Sequence, residues 1–139
     1  MTESRNPALA AFVLRLSLGT LFIAHALLKY FVFTLPGTAR FFESLGLPGV
    51  LGYAIFAAEF VGGALLIAGV GTRSVALALV PVLIGATWVH AGNGWLFTAP
   101  NGGWEYPAFW TMALIVQALL GDGAYALRPA IRKSEWSAA

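Results

Sequence analysis

The chain has 139 residues, of which 59% are apolar and 10% are charged, far below the roughly 25% of charged residues in a typical soluble domain. This composition excludes an ordinary soluble protein and indicates an integral membrane protein with a single domain, 1–139. The chain contains no cysteine, which excludes disulfides, thiolate metal sites and dithiol redox chemistry by this chain alone. The formal net charge is only +2 and no basic stripe is present, so no nucleic-acid partner is expected.

Four apolar segments predict four membrane-spanning helices, because a span takes about 20 residues. We expect these spans at about 8–33, 49–70, 74–91 and 105–121. The predicted fold is therefore all-α, an antiparallel four-helix bundle in a membrane. The remaining residues, 122–139, are expected to form an interfacial tail.

The segments also carry signals for their packing and their connections. Residues 39–46 predict a short surface helix between the first two spans. Ala54, Ala58 and Gly62 recur every four residues, which gives the second span a face that another helix can approach closely. Pro81 predicts a kink in the third span.

The basic residues predict the orientation of the bundle. One side has Arg40, and the side that holds the termini has Arg5, Arg73, Arg128, Arg132 and Lys133. The positive-inside rule therefore places both termini in the cytoplasm. Four tryptophans gather near the opposite, outer surface, as an aromatic belt or as the wall of a ligand site: Trp88, Trp95, Trp104 and Trp110.

The first span carries three basic side chains on one face. Arg15, His25 and Lys29 fall within an arc of about 80° at about 100° per residue. A charge near the bilayer centre costs roughly 2.5–3.5 kcal/mol, so this face should turn toward protein. At the helical rise, Glu59 lies near the midplane, and Arg15 alone lies in the inner half, where it could reach the surface or bind a lipid phosphate.

The polar residues of the outer half come from all four spans and could converge in one pocket. Two interpretations remain open. Glu59 could form a structural ion pair with Lys29 or His25. Alternatively, the groups form a proton-exchanging site for a quinone-like molecule. In that site, the expected catalytic residues are Glu59, His90 and Lys29, and the expected cofactor-binding residues are His25, Trp88, Glu105 and Trp110.

Simpler roles are also open for some of these residues. His90 could only donate a hydrogen bond, and Glu105 could favour the start of the fourth span through the helix dipole. His25 and His90 could together serve as the two axial ligands of a haem, but no other feature of the sequence indicates haem. A metal site with Glu59 lacks diagnostic spacing, so no metal is expected.

The motifs RLSLGTLFIAHALLKY, AAEFVGGALLIAGVGTR, HAGNGWLF, GGWEYP and GDGAYALR together resemble the DoxX family of small four-helix membrane proteins. The resemblance implies a multi-pass protein of the bacterial inner membrane, in a family named for its similarity to the DoxD subunit of a thiosulfate:quinone oxidoreductase. Mycobacterial members are associated with a complex that contains superoxide dismutase and a sulfurtransferase. The resemblance therefore implies redox proteins as partners.

Residues typical of that family recur in this chain: Arg15, Gly19, Lys29, Glu59, Gly62, Gly63, Gly69, Arg73, His90, Glu105 and Gly121. At His25, by contrast, many members have glycine or another small residue. The leading expectation is a redox-linked subunit that binds a quinone-like molecule. A structural or assembly subunit is the alternative, and a transporter is a weaker one because no inverted repeat is visible. Membrane lipids and a second copy are further expected partners.

Overall fold

The computed structural model describes residues 5–127, and this part of the chain is helical without any strand. The helices are α1 (Asn6–Phe31), α2 (Leu35–Ser44), α3 (Val50–Ala68), α4 (Thr72–His90) and α5 (Glu105–Leu120). One turn of 3-10 helix, Ala91–Asn93, extends α4. The prediction of an all-α membrane bundle is confirmed. Most of the predicted tail, including Arg128, Arg132 and Lys133, lies outside the described residues.

Among the described residues, three helices are long and apolar enough to cross a membrane: α1, α3, and α4 with its 3-10 extension. Helix α5 has 16 residues, so the fourth crossing stays a prediction. Helix α4 begins at Thr72, two residues before the predicted start, because Gly69 and Gly71 adopt the left-handed conformation (φ 77° and 59°) and complete the turn. Pro81 lies inside α4, which continues past it.

Helices α1, α3, α4 and α5 pack in a ring. Helix α1 contacts α3 and α5, and α4 contacts the same two helices from the other side. The enclosed core contains Leu18, Phe22, Leu66, Leu83 and Leu114. We call the end that holds Phe31, α2 and Glu105 the outer end, following the orientation that the basic residues predict.

The backbones of α1 and α3 approach closely at a pair of glycines. A Cβ on Gly19 would stand 2.8 Å from the Gly63 carbonyl oxygen, and a Cβ on Gly63 would stand 2.9 Å from the Gly19 oxygen. Only part of the predicted small face of α3 lies against another helix. Gly62 lies against Leu79 of α4, and Ala54 is exposed. The contact with α1 uses the next residue, Gly63.

Helix α2 lies across the start of α3 at the outer end. It begins at Leu35, four residues before the predicted start, because the Thr34 hydroxyl accepts a hydrogen bond from the Gly37 amide at 3.1 Å. Gly52 of α3 permits the crossing, since a Cβ there would stand 3.2 Å from the Ala39 amide nitrogen.

Arg15 joins the inner ends of three helices. Its guanidinium donates four hydrogen bonds of 2.7–3.0 Å to backbone carbonyls, of Leu66 and Ile67 at the end of α3 and of Asp122 and Ala124 after α5. The side chain is fully buried, so it does not reach the membrane surface. Carbonyls at a helix end lack intrahelical donors, and Arg15 supplies them.

Candidate functional site

The central contact at the outer half is an ion pair between α1 and α3. Lys29 Nζ lies 2.8 Å from Glu59 Oε2, and the two side chains are 18% and 6% exposed. Helical side chains tilt toward the helix N-terminus, so Lys29, near the end of α1, reaches back into the bundle. Within residues 5–127 this is the one salt bridge. Of the two partners predicted for Glu59, Lys29 forms the pair.

His25 lies one turn before Lys29 on α1. Its Nδ1 is 2.9 Å from the Leu21 carbonyl oxygen. A carbonyl oxygen only accepts, so Nδ1 carries the proton, and in the neutral ring Nε2 keeps a lone pair that can take up a proton. His25 is also near enough to Glu59 to interact with it electrostatically. The imidazole thus lies near the ion pair, and among residues 5–127 its hydrogen bond is made through Nδ1.

Trp110 of α5 packs on the ring of His25 and brings α5 next to the residues of α1. The Trp110 ring centroid lies 4.7 Å from that of His25, 4.6 Å from Phe22 and 5.7 Å from Tyr106. The side chain is 5% exposed. Tyr106 and Phe22 were not singled out from the sequence, although Tyr106 precedes Trp110 by four residues and therefore shares its helix face.

The indole N–H of Trp110 is buried without a hydrogen-bond partner in the part of the chain that the structure describes. Two other buried side-chain atoms among these residues also lack a hydrogen-bond partner, Thr72 Oγ1 and Gln117 Oε1, but both lie at the inner end of the bundle. An unsatisfied buried donor costs about 1–3 kcal/mol, so a native structure normally supplies an acceptor. Among the described residues of the outer half, Trp110 Nε1 is thus the one buried side-chain donor without an acceptor.

His90 and Glu105 hold the loop between α4 and α5. His90 Nδ1 lies 3.2 Å from the Gly102 carbonyl oxygen, and Glu105 Oε1 accepts a hydrogen bond from the Phe97 amide at 3.1 Å. Neither side chain has a contact with Lys29 or Glu59 among the hydrogen bonds and salt bridges of residues 5–127. Their participation in one site with that pair stays a prediction.

Trp88 projects from the outer part of α4 with 62% of its surface exposed, and the structure does not bring it to His25 and Trp110. Trp95 and Trp104 are also exposed, at 58% and 41%. Exposed tryptophans at one end of a membrane bundle fit an interfacial belt. Trp110 alone among the four is buried.

The described residues contain no group of three or more histidine, aspartate or glutamate side chains placed to hold a metal ion. The ring nitrogens of His25 and His90 also have different hydrogen-bond partners. His25 bonds within its own helix, whereas His90 bonds to the α4–α5 loop. The groups that lie together in the outer half are an ion pair, an imidazole and aromatic rings.

The family model for DoxX matches residues 10–92, which include α2, α3, α4 and nearly all of α1. The chain belongs to the DoxX family. It is also similar to the Bacillus subtilis (strain 168) protein named "Putative oxidoreductase CatD", with 38% identity over 78 residues. That match covers 56% of this chain and 57% of the relative, so the chain spans little more than half of the relative's length. No solved structure matches the chain at a significant level.

The residues around the Lys29–Glu59 pair lie partly inside and partly outside the segment that matches the DoxX family model. Lys29, His25 and Glu59 lie inside the matched residues, whereas Trp110 and Tyr106 lie beyond residue 92. The DoxX segment thus supplies the charged and titratable groups. Helix α5, outside that segment, supplies the rings packed against them and the orphan indole donor.

Proposed function

We propose that this DoxX-family protein is a redox-linked subunit of the bacterial inner membrane that binds a small hydrophobic, quinone-like molecule in the outer half of its bundle. The observation that carries the proposal is the buried, unpartnered N–H of Trp110, whose ring packs on His25 near the Lys29–Glu59 pair. A donor in this position suits a ligand that brings an acceptor oxygen and little other polarity.

A quinone matches these groups in chemistry. Its ring is flat and apolar, and its carbonyl oxygens accept hydrogen bonds. Trp110 Nε1 would donate to one carbonyl, and the rings of Phe22 and Tyr106 offer aromatic surface next to it. The Lys29 ammonium would polarise the bound molecule, because it carries donors beyond the one used by Glu59.

Reduction of a quinone to a quinol takes two electrons and two protons. In the proposed role Glu59 exchanges protons with the ligand, His25 relays them through Nε2, and His90 acts as a second polarising group from the outer loop. The electrons would come from a redox partner protein, because this chain has no cysteine and its described residues offer no metal-binding cluster. The word "oxidoreductase" in the relative's name supports this class of function.

The test is quinone binding by the full chain purified in a mild detergent. Binding of a short-chain ubiquinone analogue is measured by isothermal titration calorimetry for the wild type and for Trp110→Phe, which keeps an aromatic ring but removes the N–H. We expect Trp110→Phe to weaken binding by about three- to tenfold, the value of one hydrogen bond. Trp95→Phe, at an exposed position, is the matched control and should bind as the wild type does.

A structural or assembly subunit of a membrane complex is the second candidate. It is favoured by the 2.8 Å Lys29–Glu59 contact, in which each group already neutralises the other. In this case the pair only joins α1 to α3. Glu59→Gln would then lower stability or complex yield, and the wild-type protein would bind no quinone.

A further inference from the structure

An open groove of about 460 Å³ lies between α2 and the start of α3. Its lining includes Arg40 and Glu43 from α2, Gly49 directly before α3, and Val50 and Tyr53 from the first turn of α3. None of the residues of the Lys29–Glu59 site lines it. The groove is therefore a separate feature of the outer end.

The groove presents one positive and one negative side chain. Arg40 and Glu43 are three residues apart on α2, so they share a face of that helix, and both are exposed. No salt bridge shorter than 4 Å joins them to each other or to any other described residue. Both charges therefore remain available to a ligand that carries the opposite charges.

Gly49 makes room for the carboxylate. A Cβ on Gly49 would stand 2.6 Å from Glu43 Oε1 and 3.2 Å from its carboxylate carbon. Any larger residue at this position would push the Glu43 side chain away. The glycine thus allows the Glu43 carboxylate to lie against the start of α3.

The surroundings of the groove are those of a membrane interface. Helix α2 follows the end of α1 and precedes the start of α3, and both of these helices are long and apolar enough to span a bilayer. Val50 and Tyr53, in the lining, are 69% and 42% exposed. A tyrosine at this depth is typical of the headgroup region, and exposed Val50 offers apolar surface to acyl chains.

We propose that the groove binds the headgroup of a zwitterionic phospholipid with a primary amine, phosphatidylethanolamine. Arg40 binds the phosphate, and Glu43 accepts hydrogen bonds from the ammonium group. Arg40 alone would favour an anionic lipid such as phosphatidylglycerol, but Glu43 repels it. A choline headgroup lacks N–H donors, so Glu43 selects against phosphatidylcholine.

The experiment measures lipid binding to the full chain by native mass spectrometry from detergent, with phosphatidylethanolamine, phosphatidylcholine and phosphatidylglycerol of identical acyl chains. We expect the wild type to retain phosphatidylethanolamine about three- to fivefold better than either competitor, the range for exposed charged contacts. Glu43→Gln should abolish this preference, whereas Arg40→Gln should weaken the retention of all three lipids, because each of them carries the phosphate. Arg5→Gln, which removes an exposed charge from the other end of the bundle, should preserve the preference.

A backbone variant tests the geometry independently of charge. Gly49→Ala should also reduce the preference because its Cβ displaces the Glu43 carboxylate, whereas Gly85→Ala, with no atom within 4 Å of the new Cβ, should retain it. A preference that survives Glu43→Gln, or lipid retention that is unchanged by Arg40→Gln, would overturn the proposal. A wild-type preference for phosphatidylglycerol that is unaffected by Glu43→Gln would overturn it as well.

Discussion

Lys29 Nζ and Glu59 Oε2 lie 2.8 Å apart and connect the outer end of α1 to the interior of α3. Both charges are largely removed from solvent, so each is stable in the bundle only because the other is present. This contact serves either proposed function. The difference between the two functions is whether the groups around the pair also bind a ligand.

Removing one member of the pair should destabilise the protein strongly. Glu59→Gln leaves the Lys29 ammonium buried without a counter-charge, and we expect a loss of about 3 kcal/mol or more in unfolding free energy. Differential scanning fluorimetry in detergent measures the accompanying fall in melting temperature. The double variant Lys29→Met/Glu59→Gln should recover much of the loss, since no unpaired charge remains. Equal losses in the single and double variants would contradict this interpretation.

The Gly19–Gly63 approach predicts an asymmetric response to a single methyl group. Gly19→Ala would place its Cβ 2.6 Å from Ile67 Cγ1 and 2.8 Å from the Gly63 carbonyl oxygen, which forces α1 and α3 apart. We expect a destabilisation of about 1–3 kcal/mol. Gly85→Ala meets no atom within 4 Å and should be neutral or slightly stabilising. Melting temperatures of the two variants provide the comparison, and indistinguishable values would show that the glycine contact is unimportant.

Arg15→Lys should fail to replace the arginine although it keeps the charge. The guanidinium reaches four carbonyl oxygens on two chain segments with three different nitrogens. A lysine offers one nitrogen, so at least one segment loses its donors. We expect a loss of about 2–4 kcal/mol, measured as a shift of thermal unfolding. Arg5→Lys, at an exposed position, is the control and should melt at the wild-type temperature.

The orientation of the bundle can be tested with single cysteines, because the chain contains none. In intact cells a membrane-impermeant maleimide should label Ser44→Cys on α2 and Thr98→Cys in the α4–α5 loop. Ser74→Cys and Leu127→Cys should stay unlabelled until the membrane is opened. The Leu127 position decides whether α5 crosses the bilayer, and its labelling in intact cells would contradict the predicted fourth span.

Much of this architecture could be predicted because it depends on composition and on helical depth. Long apolar segments with few charges permit little else than membrane helices. The heights of Lys29 and Glu59 along antiparallel spans were enough to predict that they could meet. Which small residue of α3 meets which helix was not predictable, because adjacent residues differ by about 100° in direction and the rotation of α3 depends on all of its neighbours.

The hydrogen-bond acceptors of Arg15 and the surroundings of Trp110 could not be predicted from the sequence either. The carbonyls that surround Arg15 belong to backbone segments more than 50 residues away, and backbone acceptors leave no trace in side-chain patterns. From the sequence, Trp110 was expected first as a belt residue and only second as part of a ligand wall. Its burial against His25 and the lack of an acceptor for its N–H among residues 5–127 appear only in three dimensions.

The most direct test of the proposed function is to compare quinone affinity in the purified wild type, Trp110→Phe and Lys29→Met/Glu59→Gln, with folding of each verified by its melting transition. We expect measurable binding by the wild type, binding weaker by about three- to tenfold in Trp110→Phe, and a loss of binding in the double variant despite its recovered stability. The absence of quinone binding by the folded wild type, or equal affinity in all three proteins, would contradict the proposed function and leave the structural role.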